Sequence, residues 1–352
     1  MDFKKGAKWI AAGLACLALA GCGMSGSGNK PASSAAASKA ASGQKVELKL
    51  AYQLPAEHHL SKSLEKFAKI VNEKGKGSLE IKVYPAGQLY NDQNMNDALM
   101  SGGLDIGMNS CARWAMVVPQ LKVLDLPFVL TTYEAVGNAL DGDLGKLLEA
   151  EVEKKNVHPL MWADYGYVQF ANNKKKIEKP EDFQGLKIRS YSEISAEIIK
   201  ALGASPTTMS AAEVYMAIKN GTIDGQTSGQ TAMLSRKMYE VAKYMTVTNH
   251  SYVEYLVAIN ANTWKKLSPD QQKLLTDTAA EIEKEIRSET KAEDERCLKE
   301  IAEKGMDVYQ IPQDQIGAWQ EATLPVREKF ISEMGETGKK MVDYCLAASA
   351  KK

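Results

Sequence analysis

The chain has 352 residues, and its 44 Lys plus Arg balance 44 Asp plus Glu. No polyanion-binding field is indicated, and nucleic acid is not an expected partner. Five cysteines, at positions 16, 22, 111, 297 and 345, have unrelated spacings that exclude a disulfide framework or a zinc pattern; Cys297 and Cys345 can pair, but buried free thiols are the expectation.

Lys4, Lys5 and Lys8 precede an apolar run from Trp9 to Ala20, too short for a permanent span and typical of a secretory signal. It ends Leu19-Ala20-Gly21-Cys22, which looks like a bacterial lipobox with a lipidated Cys22. An ordinary signal with a chance cysteine is the alternative. Two acyl chains anchor stably where one does not. Residues 23–44 are small and polar and read as a flexible tether reaching roughly 25 Å. What remains is long enough for two domains, and no later segment is apolar enough to cross a membrane.

Val46, Leu48 and Leu50 alternate into a first strand. A helix follows with Leu60, Leu64, Phe67, Ala68 and Val71 on one stripe, and Leu79, Ile81 and Val83 form a second strand. A helix near Asp92–Ser101 leads to a third strand, Leu104–Met108, running out into Asn109-Ser110-Cys111-Ala112-Arg113. This succession predicts a parallel sheet with right-handed crossovers. LKVLDLPFVL from residue 121 reads as a buried segment, and 135–155 as one amphipathic helix. Met161–Phe170 is strand-like, with Gly166 as a hinge where the chain changes lobes.

The stretch Gly185–Gly225 carries most of the functional signal. Leu186 and Ile188 alternate with Lys187 and Arg189, Ser192 caps a helix through Leu202, and Gly203 closes it. Arg189 therefore sits where a strand runs out, the end at which open α/β sheets bind ligands. Its guanidinium offers a planar fork matched to a carboxylate; a surface arginine in a connection is the plain alternative. NDALMSGGLDIGM (96–108) and YMAIKNGTIDGQT (215–227) echo one another, with Asp105 and Asp224 at a constant offset of 119. Two similarly built lobes produce such an echo, as does chance likeness of two corners. Val247–Asn260 reads as strand. A helix capped by Ser268 with Pro269 at its first position extends to about Gly305, roughly 54 Å if unbroken. It either braces both lobes or forms a coiled coil, although its apolar seam is interrupted. Met306–Ile311 adds a strand, and the tail from Gln313 is helical.

Catalytic and nucleotide motifs are missing, and Asp105 with Asp224 is rejected as a catalytic dyad, each carboxylate being expected on backbone N–H groups. The adjacent His58 and His59 diverge, so no metal site is expected.

VYPAGQL (83–89), GGLDIGM (102–108), LDLPF (124–128), GLKIR (185–189), LGASPTTMSAAEVYMAIKNGTIDG (202–225) and YEVAKYMTVTNH (239–250) together resemble the solute-binding proteins of tripartite ATP-independent periplasmic (TRAP) transporters, DctP type. The resemblance implies an α/β, two-lobed periplasmic-binding-protein fold (type II-like) with a long helix bridging both lobes. Residues 45–165 plus about 254–294 would form the first lobe, and 166–253 plus about 295–345 the second. It further implies an extracytoplasmic, membrane-anchored, monomeric lipoprotein, not an enzyme and without cofactor. Such a protein takes up a small organic acid, C4-dicarboxylate-like or related, and hands it to the membrane permease subunits. A ligand-binding lipoprotein feeding a signalling receptor is the alternative. In the family the GLKIR arginine, here Arg189, pairs with the ligand carboxylate. Ser228, Gln226 and Thr227 follow Asp224 where a polar contact is common, with Ser228 at the position often held by asparagine. Ser110, Arg113, Gln53, His58, Asp92 and Gln169 complete the expected site. Two departures bear on the ligand: Val168 stands where many relatives carry a second arginine, and Ala211 where some have an aromatic residue.

Overall fold

A computed structural model describes residues 45–351, so Cys22, the signal segment and the tether lie outside the described residues. The predicted opening unit forms as β1 (Val46–Tyr52), α1 (His59–Lys74) and β2 (Leu79–Tyr84), with the expected α1 stripe buried. After α2 (Met95–Ser101), β3 (Ile106–Ser110) pairs in parallel with β1 on the side opposite β2. The chain then turns through α3 (Cys111–Trp114) and a 3-10 segment, Pro119–Asp125.

The single helix expected over 135–155 is two, α4 (Tyr133–Leu140) and α5 (Asp143–Glu153). Gly142 adopts extended backbone and becomes the N-cap of α5. At Gly145 a Cβ would lie 1.8 Å from the Leu140 carbonyl oxygen, so the chain doubles back through a corner that only glycine fits.

Two long strands carry the architecture, β4 (Val157–Asn172) and β8 (Tyr244–Asn260), antiparallel from Val157↔Asn260 to Asn172↔Tyr244. Between them the chain forms β5 (Lys187–Ser190), α6 (Glu193–Ala201), β6 (Ser205–Thr208), α7 (Val214–Lys219), β7 (Gly225–Gly229) and α8 (Gln230–Ser235). The sheet order is β2-β1-β3-β8-β4-β7-β5-β6, and β9 (Asp307–Gln310) pairs with β8. One half is the parallel set β2-β1-β3, laid against the C-terminal half of β8. The other is β7-β5-β6, laid against the C-terminal half of β4. Neither half is complete without the β4–β8 pair. The edge strand β6 is not foreseen in the sequence because it contains Pro206, which an edge position tolerates.

The repeated aspartates do the same work in each half. Asp105 Oδ2 accepts from the Lys49 N–H of β1 at 2.9 Å, and Asp224 Oδ2 from the Lys187 N–H of β5 at 2.8 Å. Each pins the strand beside it, which satisfies both carboxylates structurally.

After α9 (Ala261–Lys266), α10 runs unbroken over Pro269–Glu303. Ser268 and Gln271 cap it reciprocally. Its stripe of Leu275, Ala279, Ile282 and Ile286 is buried against α1 and β4, and further along it packs on α8, so it touches both halves of the sheet. The apolar seam is covered within the chain, as a bracing helix requires. α11 (Ile316–Ala350) closes the chain, kinked at Gly335. Cys111, Cys297 and Cys345 are buried free thiols.

The polar middle of α10 faces the crossing of β4 and β8. Arg287 reaches Asp141 at 2.6 Å, Glu283 at 2.9 Å and Asp164 at 3.4 Å. Asp294 Oδ2 accepts from the Tyr133 hydroxyl at 2.8 Å and the Tyr167 N–H at 3.3 Å. Burial pushes the Asp294 carboxyl up to about 8, against the pull of those two donors. Between about pH 4 and 8 the folded chain therefore holds a proton there that the unfolded chain has released. Stability falls across that window by about 1.4 kcal/mol per pH unit from this group, and levels off above it. Asp294→Asn, which mimics the protonated acid, is expected to remove that increment from the slope of denaturation free energy against pH. Identical slopes in mutant and wild type would refute it.

Candidate functional site

A narrow cleft lies where the carboxyl ends of β1, β3, β5 and β7 meet the β4–β8 crossing, with an internal cavity of about 40 Å³. Gln53, Asp92, Ser110 and Arg113 line it from the β1–β3 half; Arg189, Gln226 and Ser228 line it from the β5–β7 half.

Arg189 is placed by alternation along β5. Lys187 is exposed, Ile188 packs in the core and Arg189 is only 4% exposed. Its Nε and Nη2 donate to the Met209 carbonyl, each at 3.2 Å, and Nη1 to the Thr227 carbonyl at 3.4 Å. No acidic side chain pairs with it among the described residues. Burial, and after it the Arg113 charge, lowers its pKa to about 10 against the pull of Asp92, so the group stays cationic at neutral pH. The Tyr191 ring lies beneath it, 5.7 Å from the guanidinium carbon. The result is a buried cation held by neutral acceptors, a state that an incoming anion relieves.

Arg113 is bound differently. Its Nε and Nη2 donate to Asp92 Oδ2 at 3.0 and 2.7 Å, and Asp92 Oδ1 accepts from the Ser210 hydroxyl of the opposite half. An aromatic layer forms one wall: Tyr165 stacks on Tyr255 with centroids 5.2 Å apart and on His58 at 5.4 Å. The Tyr165 hydroxyl bonds the Ser228 hydroxyl at 3.0 Å, and Gln53 Nε2 donates to the Tyr255 hydroxyl at 2.9 Å.

Three of the sequence-derived residues do not line the cleft. His58 is buried behind Tyr165: its Nδ1 accepts from the Leu60 N–H and caps α1, and its Nε2 meets the Thr231 hydroxyl. Burial drives its pKa well down, so it is a neutral cap. Gln169 is fully buried, bonded through its amide nitrogen to Gln230 and Asn249 and through its oxygen to the backbone of Thr248 and Asn249. Thr227 is buried with its hydroxyl toward His250, and reaches the site only through the carbonyl that holds Arg189. Val168 and Ala211 do line the cleft. Tyr165, Tyr255 and Arg236 also line it and were not singled out from sequence. The first two lie on strands buried on both faces, where alternation gives no orientation. Arg236 depends on the phase of a short helix. No cluster of three or more His, Cys, Asp or Glu among the described residues is arranged to hold a metal ion, and none of the described helices is long and apolar enough to cross a membrane.

Residues 50–333 match the family model of bacterial extracellular solute-binding proteins, family 7, the DctP family. The chain belongs to this family. It is 30% identical over 294 residues to the C4-dicarboxylate-binding periplasmic protein DctP of Rhodobacter capsulatus, spanning 82% of this chain and 88% of the relative. Among solved structures it resembles a TRAP periplasmic solute-binding protein from Sulfurospirillum deleyianum with bound succinate (TM-score 0.81, 30% identity, 87% of this chain and 99% of that one). It also resembles one from a Sulfitobacter species with bound β-D-galacturonate (TM-score 0.81, 28% identity, 86% and 100%). The DctP-family chain thus has the α/β, two-lobed TRAP solute-binding fold.

Proposed function

We propose that this protein is an extracytoplasmic TRAP solute-binding protein that closes on a small organic acid, pairs its carboxylate with Arg189, and delivers it unchanged to membrane permease subunits. One observation carries the reading: a guanidinium buried in the cleft, oriented by the Met209 and Thr227 carbonyls and lacking an acidic partner among the described residues. The ligands bound in the related solved structures, succinate and galacturonate, are both carboxylates, which supports the class. The lobes are proposed as 45–165 with about 254–294, and 166–253 with about 295–345, pivoting at Gly166. Lipidation at Cys22 would tether the monomer to the cell envelope.

Thermal shift and calorimetry on the soluble chain, with matched mono- and dicarboxylates and uronates, test this reading. At least one acid is expected to bind at micromolar affinity, and mass spectrometry is expected to recover it unaltered. A chain indifferent to every acid, or one that transforms its ligand, would end the proposal. Deleting the protein should abolish uptake of that acid; intact uptake with altered signalling would favour a receptor partner.

A further inference from the structure

Arg189 is not the only unmatched charge in the cleft. Three guanidinium groups line it, those of Arg113, Arg189 and Arg236, against the single carboxylate of Asp92. That carboxylate is already committed, both Arg113 donors falling on Oδ2 and the Ser210 hydroxyl on Oδ1. Arg236, just past the end of α8, donates through Nη2 to the backbone oxygen of Gln53 at 3.2 Å and to its side-chain Oε1 at 2.6 Å. Both acceptors are neutral. Neither Arg189 nor Arg236 has an acidic partner among the described residues, and Arg236 Nε and Nη1 meet no protein acceptor among them. Strand β4 supplies Val168 to the cleft, so it adds no cation of its own.

A monocarboxylate entering this cleft neutralises one of two confined positive charges; a dicarboxylate neutralises both. Repulsion between Arg189 and Arg236 is then relieved in full only by a dianion, and electrostatic matching in a partly desolvated site discriminates strongly. We infer that Arg236 is the specificity-determining residue of this cleft, seating the ligand's second acid group while Arg189 holds the first. Gln53 is its positioning residue. It comes from the end of β1 in the opposite half of the sheet, so the Arg236 fork is fixed in place only when the two halves are together. This assignment rests on the carboxylate-binding reading above and adds to it the number of acid groups.

The test is a cycle of ligand truncation against residue replacement. Calorimetry on the soluble chain would use pairs differing only in a second carboxyl, such as succinate with butanoate, glutarate with pentanoate, and galactarate with galactonate. Wild type is expected to prefer the diacid of its best pair by about tenfold or more, the weight of one charge-assisted contact. Arg236→Met is expected to lose most of that preference while its affinity for the monoacid stays within about threefold of wild type. Arg236→Lys keeps the charge without the fork and should retain part of the preference. Gln53→Ala leaves both guanidinium groups in place and should reduce the preference in part, which keeps the proposal testable should the methionine variant fail to fold. An Arg236→Met protein that keeps the diacid preference overturns the inference. So does one that loses mono- and diacid affinity equally, because Arg236 would then be only a strap between the halves, and so does a wild type that favours the monoacid. If wild type binds no member of any pair, it is the carboxylate reading that fails, and Arg189→Met would be equally silent.

Discussion

Arg189→Met is expected to weaken binding of the preferred acid about a hundredfold, with the ligand-free protein melting close to wild type. Removing one partner of a desolvated charge pair costs about 2–5 kcal/mol, because the other charge is left buried and unpaired. Here the ligand carboxylate would be stranded among Asp92, Ser228 and the tyrosine wall. The free protein loses less. Arg189 is desolvated without an acid beside it, and replacing an uncompensated buried charge by an apolar chain of similar length is close to neutral. The Met209 carbonyl loses two donors and the Thr227 carbonyl one, which offsets part of that gain. Arg189→Lys should fall between, keeping the charge but losing the fork that engages both carboxylate oxygens. Titration calorimetry decides the binding claim and a melting curve the stability claim. Affinity within threefold of wild type, with the fold intact, would remove Arg189 from the site. Because its proton is lost only near pH 10, the Arg189 contribution should not change between pH 6 and 8.

The residues that were legible in the sequence share a feature: each sits where local pattern fixes orientation. Leu186 to Arg189 alternate apolar and polar as a strand does, and Ser192 caps the helix that follows, which puts Arg189 near the carboxyl end of β5, although three of that strand's four residues are buried and alternation alone does not show it. Asp105 and Asp224 are legible for the same reason, each following a helix end and a glycine at equal spacing. Legibility fails where orientation is set by packing. His58 and Gln169 have the right chemistry and lie beside the cleft, yet internal partners consume them: the Leu60 N–H and Thr231 for one, Gln230, Asn249 and the Thr248 backbone for the other. Whether such a polar side chain faces a ligand or a neighbour depends in part on residues far along the chain, Thr231 for His58 and Gln230, Thr248 and Asn249 for Gln169. Tyr165 and Tyr255 fail for the complementary reason, lying in strands buried on both faces. The break at Gly142 was hidden because residues on both sides keep helical periodicity, and only the corner at Gly145 demands it.

Gly166→Ala is expected to be strongly destabilising, lowering stability by about 3–5 kcal/mol and the melting temperature by about 10 °C. Two effects combine. Gly166 has φ of +107°, a region that residues with a Cβ occupy only at a cost of about 1–3 kcal/mol. That Cβ would also stand 2.4 and 2.8 Å from the two carboxylate oxygens of Asp294, an approach that cannot be accommodated without moving one of them. Asp294 cannot retreat cheaply. It sits on α10, and its Oδ2 accepts from Tyr133 and from the Tyr167 backbone, so displacement costs about 1–3 kcal/mol for the donors left buried and unpaired. The location gives the substitution a second consequence. The β4–β8 ladder slips register between Asp164 and Gly166, at the proposed pivot between lobes. A protein that survives the change should therefore bind its acid more weakly by closing less readily, although no cleft side chain has been altered. Arg189→Met and Gly166→Ala are separable on this ground. The first should lower affinity with little change in melting temperature, the second should lower both, and combining Gly166→Ala with Asp294→Ala should recover part of the stability by removing the clash. A Gly166→Ala protein that melts with wild type would show that the crossing tolerates a side chain and that the pivot lies elsewhere.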